Sequence, residues 1–347
     1  MTKNNFEINT SRQFVAWMAE QNISIGFSTY QSGKVFLLGH QNEQNQQGLS
    51  VFERTFERPM GMWSDGDLLI LSSLYQIHRF KNTLESGQLA DGYDRLFIPQ
   101  SSSITGDLDI HDIALNANGE IRFVNTLFGC LATDSIDYSF KPLWKPDFIN
   151  PMMPEDRCHL NGLAMENGEP RYMTAISTSN VVDGWREHRQ NGGVVFDLKT
   201  NQIICHGLSM PHSPRIYNGQ CWLANSGTGE FGYITDGKFK AVAFCPGYIR
   251  GVAIVNHYAL VGLSKPRNKS FQGLDLDQRL ATEKIEPRCG IYVIDLKTGA
   301  TPHWLHLSGI VSELYDVVTF PHCKRPSMIG FKNDQIRRTL SIEPTDF

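Results

Sequence analysis

Apolar residues run along this chain in short alternating stretches, each closed by a polar turn, and not in the three-to-four spacing of helices. Gly193 to Thr200 and Gly290 to Gly299 both read as a strand entering a polar turn. The first continues into Gln202 to His206 and the second into Pro302 to His306, so each predicts a hairpin. A second type of segment precedes them. Gly61 to Ser73 is an apolar strand, a turn, then a strand ending in small hydroxyl residues. The layout recurs at Asp112 to Thr126, Gly162 to Thr178, Arg215 to Ser226 and Gly251 to Ser264, with a degraded copy from Asp316 to Phe331.

The starting points lie 51, 50, 53, 36 and 65 residues apart. Strands in fours at a period near 50, without long helical patterns between them, predict an all-β fold, a β-propeller of four-stranded blades. Ser24 to Tyr30 resembles the second strand Leu68 to Tyr75, which makes seven candidate second strands against six inner ones. Six blades are favoured over seven, with residues 23–56 closing the ring together with residues 315–342. Residues 11–21 predict a short amphipathic helix capped by Ser11. The organisation expected is an N-terminal helical segment, 1–22, and a single propeller domain, 23–347. A β-sandwich would also fit alternating strands with Gly and Asn turns, but it does not explain the regular recurrence.

Composition narrows the function. The 347 residues carry a net charge of −4 without a block of like charge, so neither nucleic acid nor a membrane is an expected partner. No run of apolar residues is long enough for a membrane span, and Met1 to Thr10 lacks the layout of a signal peptide; the expected location is cytoplasmic. Seven scattered cysteines with no C-x-x-C pair predict reduced thiols. Neither a Walker A loop nor G-x-G-x-x-G, H-E-x-x-H or G-x-S-x-G is found, which disfavours a nucleotide cofactor and serine hydrolysis.

Aligning the copies places two rings of residues at one mouth of the central channel. Three positions before each copy stand Arg58, Asp109, His159, His212, Tyr248 and Glu313. One position before stand Met60, His111, Asn161, Pro214, Arg250 and Tyr315. Such polar residues are unusual for a channel interior. His111, His159 and His212 are expected within about 4–8 Å of a common point, close enough to hold one divalent transition metal, Zn, Fe or Mn. A metal-free alternative has the same imidazoles exchange protons while an arginine neutralises a carboxylate. Arg58 and Arg250 are the expected anion partners, and Glu313 and Tyr315 the acid–base candidates. Asn161, Asp109, Trp185, Arg215 and Tyr248 are expected to line the ligand. Asp112 and Asp316 stand where other copies have Gly, and are expected to fix turns by accepting backbone N–H bonds.

Two long loops, 178–191 and 264–288, should overhang the same mouth. They carry Trp185, Arg186, His188 and Arg189, and Lys265, Arg267, Lys269, Arg279 and Lys284. Residues 274–284 predict a short lid helix. The entering loop 140–154, rich in proline and aromatic residues, suits a rigid wall. The function expected is an enzyme acting on a small anionic, sugar-like or modified-peptide ligand, as a hydrolase, lyase or oxidoreductase. The alternative is a non-catalytic platform for a protein or glycan partner.

The runs Phe27 to Gly39, Phe56 to Met62, Asp109 to Ala114, His159 to Ala164 and Met210 to Arg215 resemble an uncharacterised bacterial propeller family, a domain of unknown function sometimes attached to tetratricopeptide repeats. The likeness spans nearly the whole chain and implies the fold without a reaction. The repeats are also distantly similar to gluconolactonase and strictosidine-synthase propellers, which implies a central site with a metal held by Glu, Asn and Asp. Glu313, Asn161 and Asp316 offer that chemistry, whereas the histidines depart from it.

Overall fold

The computed structural model describes residues 6–43, 46–266, 273–343 and 345. Arg267 and Lys269 lie outside the described residues. The strands form six sheets, antiparallel except for one added strand, arranged as the blades of a propeller. Blades 1 to 5 begin with the inner strands Met62–Ser64, Ile110–Leu115, Leu160–Glu166, Pro211–Tyr217 and Tyr248–Val255. The inner strand of blade 6 is Val317–Pro321, and its other three strands come from the start of the chain, Ile23–Thr29, Lys34–Glu43 and Gln46–Thr55. This explains the seventh candidate second strand: Ile23–Thr29 completes the sheet that Val317–Pro321 opens. The register pairs Ile25 with Thr319 and Phe27 with Val317.

Both predicted hairpins form, Gly193–Asp197 with Gln202–Leu208 and Gly290–Asp295 with His303–Ser308. The degraded last copy behaves differently from a hairpin. Its second half, Pro326–Met328, crosses to the rim of blade 1 and pairs in parallel with Arg95–Ile104.

The N-terminal segment is more than a helix. Glu7–Thr10 adds a fifth strand to the outer edge of blade 5, covering backbone groups that would otherwise face water. The helix is Phe14–Glu20, which seats Phe14, Trp17 and Met18 between blades 5 and 6 against Ile291, Leu305 and Phe27. Ser11 does not cap it. Its hydroxyl oxygen instead accepts the Trp304 backbone N–H at 3.3 Å, tying the segment to blade 5.

Apolar clusters fill the wedges between neighbouring blades. Ala114 and Val124 of blade 2 pack with Leu163 and Met173 of blade 3, and Trp222 of blade 4 packs with Val252 and Val261 of blade 5. Each of the larger aliphatic side chains here, fully buried, stabilises by about 1.5–3 kcal/mol. The small hydroxyl residues that end the second strands join the blades at the mouth. Ser28, Ser72, Thr126, Ser226 and Ser264 donate to the carbonyl oxygens of Met60, Ile110, Leu160, Ile249 and Leu314, each at the start of the next blade, at 2.6 to 3.3 Å.

Candidate functional site

A β-bulge follows the first or second residue of four inner strands. Pairing shifts by one residue between Ile110 and Ile113, Leu160 and Gly162, His212 and Arg215, and Ile249 and Val252. A bulge bends its strand and re-aims a side chain. The residues in or beside these bulges are His111, Asn161, His212 and Arg250. Two positions earlier, Asp109, His159 and Met210 take left-handed backbone conformations, with φ of 54°, 51° and 51°. Such conformations are uncommon for residues other than glycine and mark a locally strained turn.

This geometry corrects the alignment of blade 4 by two residues. His212, not Pro214, shares the position of His111, Asn161, Arg250 and Tyr315, because Ser213 adopts φ of 49° just where Gly251 adopts 71° in blade 5. Met210 takes the outer position.

The three imidazoles meet. The rings of His111 and His159 lie 4.7 Å apart, edge to face, and those of His111 and His212 lie 6.4 Å apart. The Tyr315 ring is 5.5 Å from His111, and the Arg250 guanidinium sits 5.2 Å above Tyr315. Every imidazole is anchored through Nδ1. His111 Nδ1–H donates to the Asp109 carbonyl oxygen at 2.8 Å and lies 2.8 Å from Thr126 Oγ1. Since the Thr126 hydroxyl donates to Leu160 O, its oxygen accepts from the imidazole. His212 Nδ1–H donates to the Met210 carbonyl oxygen at 2.8 Å. His159 Nδ1–H donates to the Asp156 carboxylate at 2.8 Å. Asp156 also accepts Trp185 Nε1–H at 2.8 Å, and the indole lies tilted by 33° against the His159 ring with centroids 4.3 Å apart. A carboxylate behind an imidazole fixes its tautomer and orientation.

Burial, above all, pushes the His111 pKa down to about 4 and that of His212 well below its ordinary value, with the charge of Arg250 adding to both. Both rings are neutral at physiological pH, with an Nε2 lone pair. Burial pulls the Asp109 carboxyl upward, but its positively charged surroundings, the Arg58 and Arg250 guanidiniums among them, hold it below its ordinary value.

Among the described residues no group of three His, Cys, Asp or Glu side chains is arranged to hold a metal ion.

Other expected site residues also bond to neighbouring parts of the fold. Arg58 forms ion pairs with Asp107 and, at 3.9 Å, with Asp109. Both oxygens of Glu313 accept backbone N–H groups, from Tyr30 at 3.2 Å and Gln31 at 3.0 Å, which secures a turn of blade 6. Tyr248 donates its hydroxyl to Asp277 at 3.0 Å on the helix Asp275–Glu283, the helix expected over 274–284. Leu276 and Leu280 of that helix pack with Trp185, Met210 and Tyr248 beside the histidines. Trp185 is buried, with its indole against His159.

Arg215 stands deeper in the channel. It donates to Asp112 at 2.8 Å and to the carbonyl oxygens of Val252 and Leu163, with Asp316 at 3.9 Å. Asp112 and Asp316 accept backbone N–H bonds as expected, each from its own successor and from the next strand in the ring: Ile113 and Leu163 for Asp112, Val317 and Met62 for Asp316. Arg215 thus ties inner strands together at the floor of a separate cavity of about 300 Å³, lined also by Trp63, Met165 and Ile254.

The family model described as DUF4915, a domain of unknown function, matches residues 12–329. The chain belongs to this family. No curated protein sequence matches the DUF4915 chain. Among solved structures it is similar to one from a nidogen/laminin complex, at 13% identity and a TM-score of 0.54 over 86% of this chain and 99% of that one. It is also similar to virginiamycin B lyase from Staphylococcus aureus, at 12% identity and a TM-score of 0.37 over 88% and 100% of the two chains. A gluconolactonase from Xanthomonas campestris matches at 13% identity and a TM-score of 0.43 over 84% of each chain. At these identities the likeness is one of fold. No helix among the described residues of the DUF4915 chain is long and apolar enough to cross a membrane.

Asp156 and Thr126 escaped the sequence reading. Asp156 precedes His159 by three residues in the same entering loop, a D-x-x-H spacing that was the available signal. Thr126 is one of the hydroxyl residues that define the repeat, and only the folded structure brings it against an imidazole.

Proposed function

We propose that the channel mouth is an enzyme active site for general acid–base chemistry on a small anionic molecule. The observation that carries this reading is the Asp156–His159 pair, a base oriented by a carboxylate, beside two imidazoles kept neutral by burial. His159 takes or returns the proton through Nε2, because its Nδ1–H is committed to Asp156. His111 and His212 accept hydrogen bonds at Nε2, and Arg250 supplies the positive charge for an anionic group. Hydrolysis and elimination both need this set. The nearby Arg250 guanidinium favours an anion over a cation at the centre, and the reading is metal-free.

The test is turnover of a panel of esters, lactones and hydroxy acids followed by proton NMR. At least one compound is expected to turn over. His159→Gln should slow it by about 10²–10⁴-fold, the usual contribution of a general base, and Asp156→Asn by a smaller factor. Treatment with a chelator should leave the rate unchanged. Turnover equal in His159→Gln and wild type, or none with any compound, would overturn the reading.

A further inference from the structure

Among the described residues, His212 Nε2 is buried at the mouth without a hydrogen-bond partner. The ring has given its Nδ1–H to the Met210 carbonyl oxygen and is kept neutral by burial, so Nε2 carries a lone pair in need of a donor. A buried acceptor of this kind is ordinarily met by a water or a ligand group. A cavity of about 10 Å³ adjoins the ring, room for one water-sized group. Ser226, Ser264, Tyr248, Arg250 and Lys265 line it besides His212.

This lining suits a water and not an ion. An anion would meet the lone pair of Nε2, and a cation would meet Arg250 and Lys265. The Ser226, Ser264 and Tyr248 hydroxyls donate to Ile249 O, Leu314 O and Asp277, so none of them supplies the proton that Nε2 lacks. A water supplies it, provided two to four polar groups hold it. The Ser226 oxygen, 3.5 Å from Nδ1 of the same ring, can accept its second O–H. The N–H groups of Arg250 and Lys265 can donate to its lone pairs, and their charge favours the hydroxide that forms when the water loses a proton.

We propose that this cavity holds a water donating to His212 Nε2, and that His212 is the base that makes it the nucleophile of an ester hydrolysis. This rests on the proposed reading of the mouth as an acid–base active site, and it selects hydrolysis over elimination. The water oxygen bonds to the ester carbonyl carbon as its proton passes to His212 Nε2. The bond from that carbon to the alkoxide then breaks, and the alkoxide takes a proton from His159, which enters the cycle protonated beside Asp156. One proton passing from His212 to His159 through solvent restores both rings, so one ester and one water give one acid and one alcohol. Burial, and next the charge of Arg250, weaken His212 as a base. An anionic group of the substrate beside Arg250 offsets that charge, so the base strengthens when substrate is bound.

Crystallography and isotope labelling of the full-length protein test it. A crystal structure that resolves ordered water should place a water oxygen within about 3.2 Å of His212 Nε2. Esters of the panel, the monomethyl esters of malonate and succinate among them, should be hydrolysed in heavy-oxygen water with one solvent oxygen entering the acid. His212→Ala should lower kcat by about 10²–10⁴-fold with KM near that of the wild type. Added imidazole should restore part of this loss, which it would not do for a merely structural histidine. The wild-type structure and the isotope result stand even if the variant does not fold. Elimination from hydroxy acids with no ester hydrolysed, solvent oxygen found in the alcohol, or an unchanged kcat in folded His212→Ala overturns the assignment while the acid–base reading stands. A structure with no water at Nε2 overturns it in the same way. Turnover of no compound overturns both.

Discussion

An imidazole that donates Nδ1–H to a carbonyl oxygen is free to act only through Nε2, and burial then decides whether that atom carries a lone pair or a proton. At His111 burial prevails, and the pKa falls from 6.5 to about 4. The folded protein therefore resists a proton that the unfolded chain accepts. Stability from this source is present above about pH 6.5 and is lost as the pH falls towards 4. Thermal melts of wild type and His111→Gln between pH 7 and pH 4 should show a shallower loss on acidification in the variant. Equal slopes would mean that the ring is not buried neutral. The histidines themselves were legible, because three of them recur at strand starts where channels ordinarily carry small or apolar residues. Their anchors were not. The backbone carbonyls of Asp109 and Met210 leave no trace in sequence, and neither do the bonds that Arg58 makes to Asp107 and Glu313 to the backbone of Tyr30 and Gln31, because a charged residue looks the same in sequence whatever it faces.

The inner strand is the element that gives these residues their direction, and its bulge is the least legible part of it. Spacing alone put blade 4 out of register by two residues, because the left-handed conformation falls on Ser213 where blade 5 has Gly251. Below the bulges the strands are joined through Asp112, Arg215 and Asp316. Burial, and next the neighbouring Asp112 carboxylate, raise the Asp316 pKa from 3.8 to about 7 in spite of Arg215. The sign is opposite to that of His111. The folded state holds a proton that the unfolded chain releases, so this stability is full below about pH 3.8 and is lost as the pH rises through 7. Asp316→Asn should remove that decline, whatever its offset in absolute stability from the altered bonds to Met62 and Val317 N–H. Denaturant unfolding at pH 5 and pH 8 measures it. A variant whose stability drops between the two as much as the wild type's would show that Asp316 is ionised throughout.

At the scale of the whole molecule, the period of the strands made the propeller legible, and its count turned on the ring closure. Blade 6 takes its inner strand from the end of the chain and the rest from the beginning, so no single stretch of sequence contains it. The parallel strand Pro326–Met328 could not be read either, because three residues carry too little pattern and their partner lies far away on blade 1. This closure makes the two chain ends unequal to the middle in a testable way. Ending the chain after Asp316 removes Val317 from the core it shares with Phe27 and Leu38, and Val318, Phe320 and Met328 from the core they share with Leu37, Leu71 and Phe97. At about 1.5–3 kcal/mol for each fully buried side chain, the loss approaches the whole stability of an ordinary domain, about 5–15 kcal/mol. Blade 6 would also present an unpaired Ile23–Thr29 edge to other molecules. That truncation is expected to abolish cooperative melting and to aggregate. Ending the chain after Phe331 removes mainly exposed residues, whose ties include the Gln335 bond to Arg54 and the Ser341 bond to Gln100. It is expected to melt in one transition within a few degrees of the full-length protein. Differential scanning calorimetry of both truncations decides the matter. A cooperative transition near the wild-type temperature in the shorter one would mean that the five remaining blades hold the ring without its closing strand.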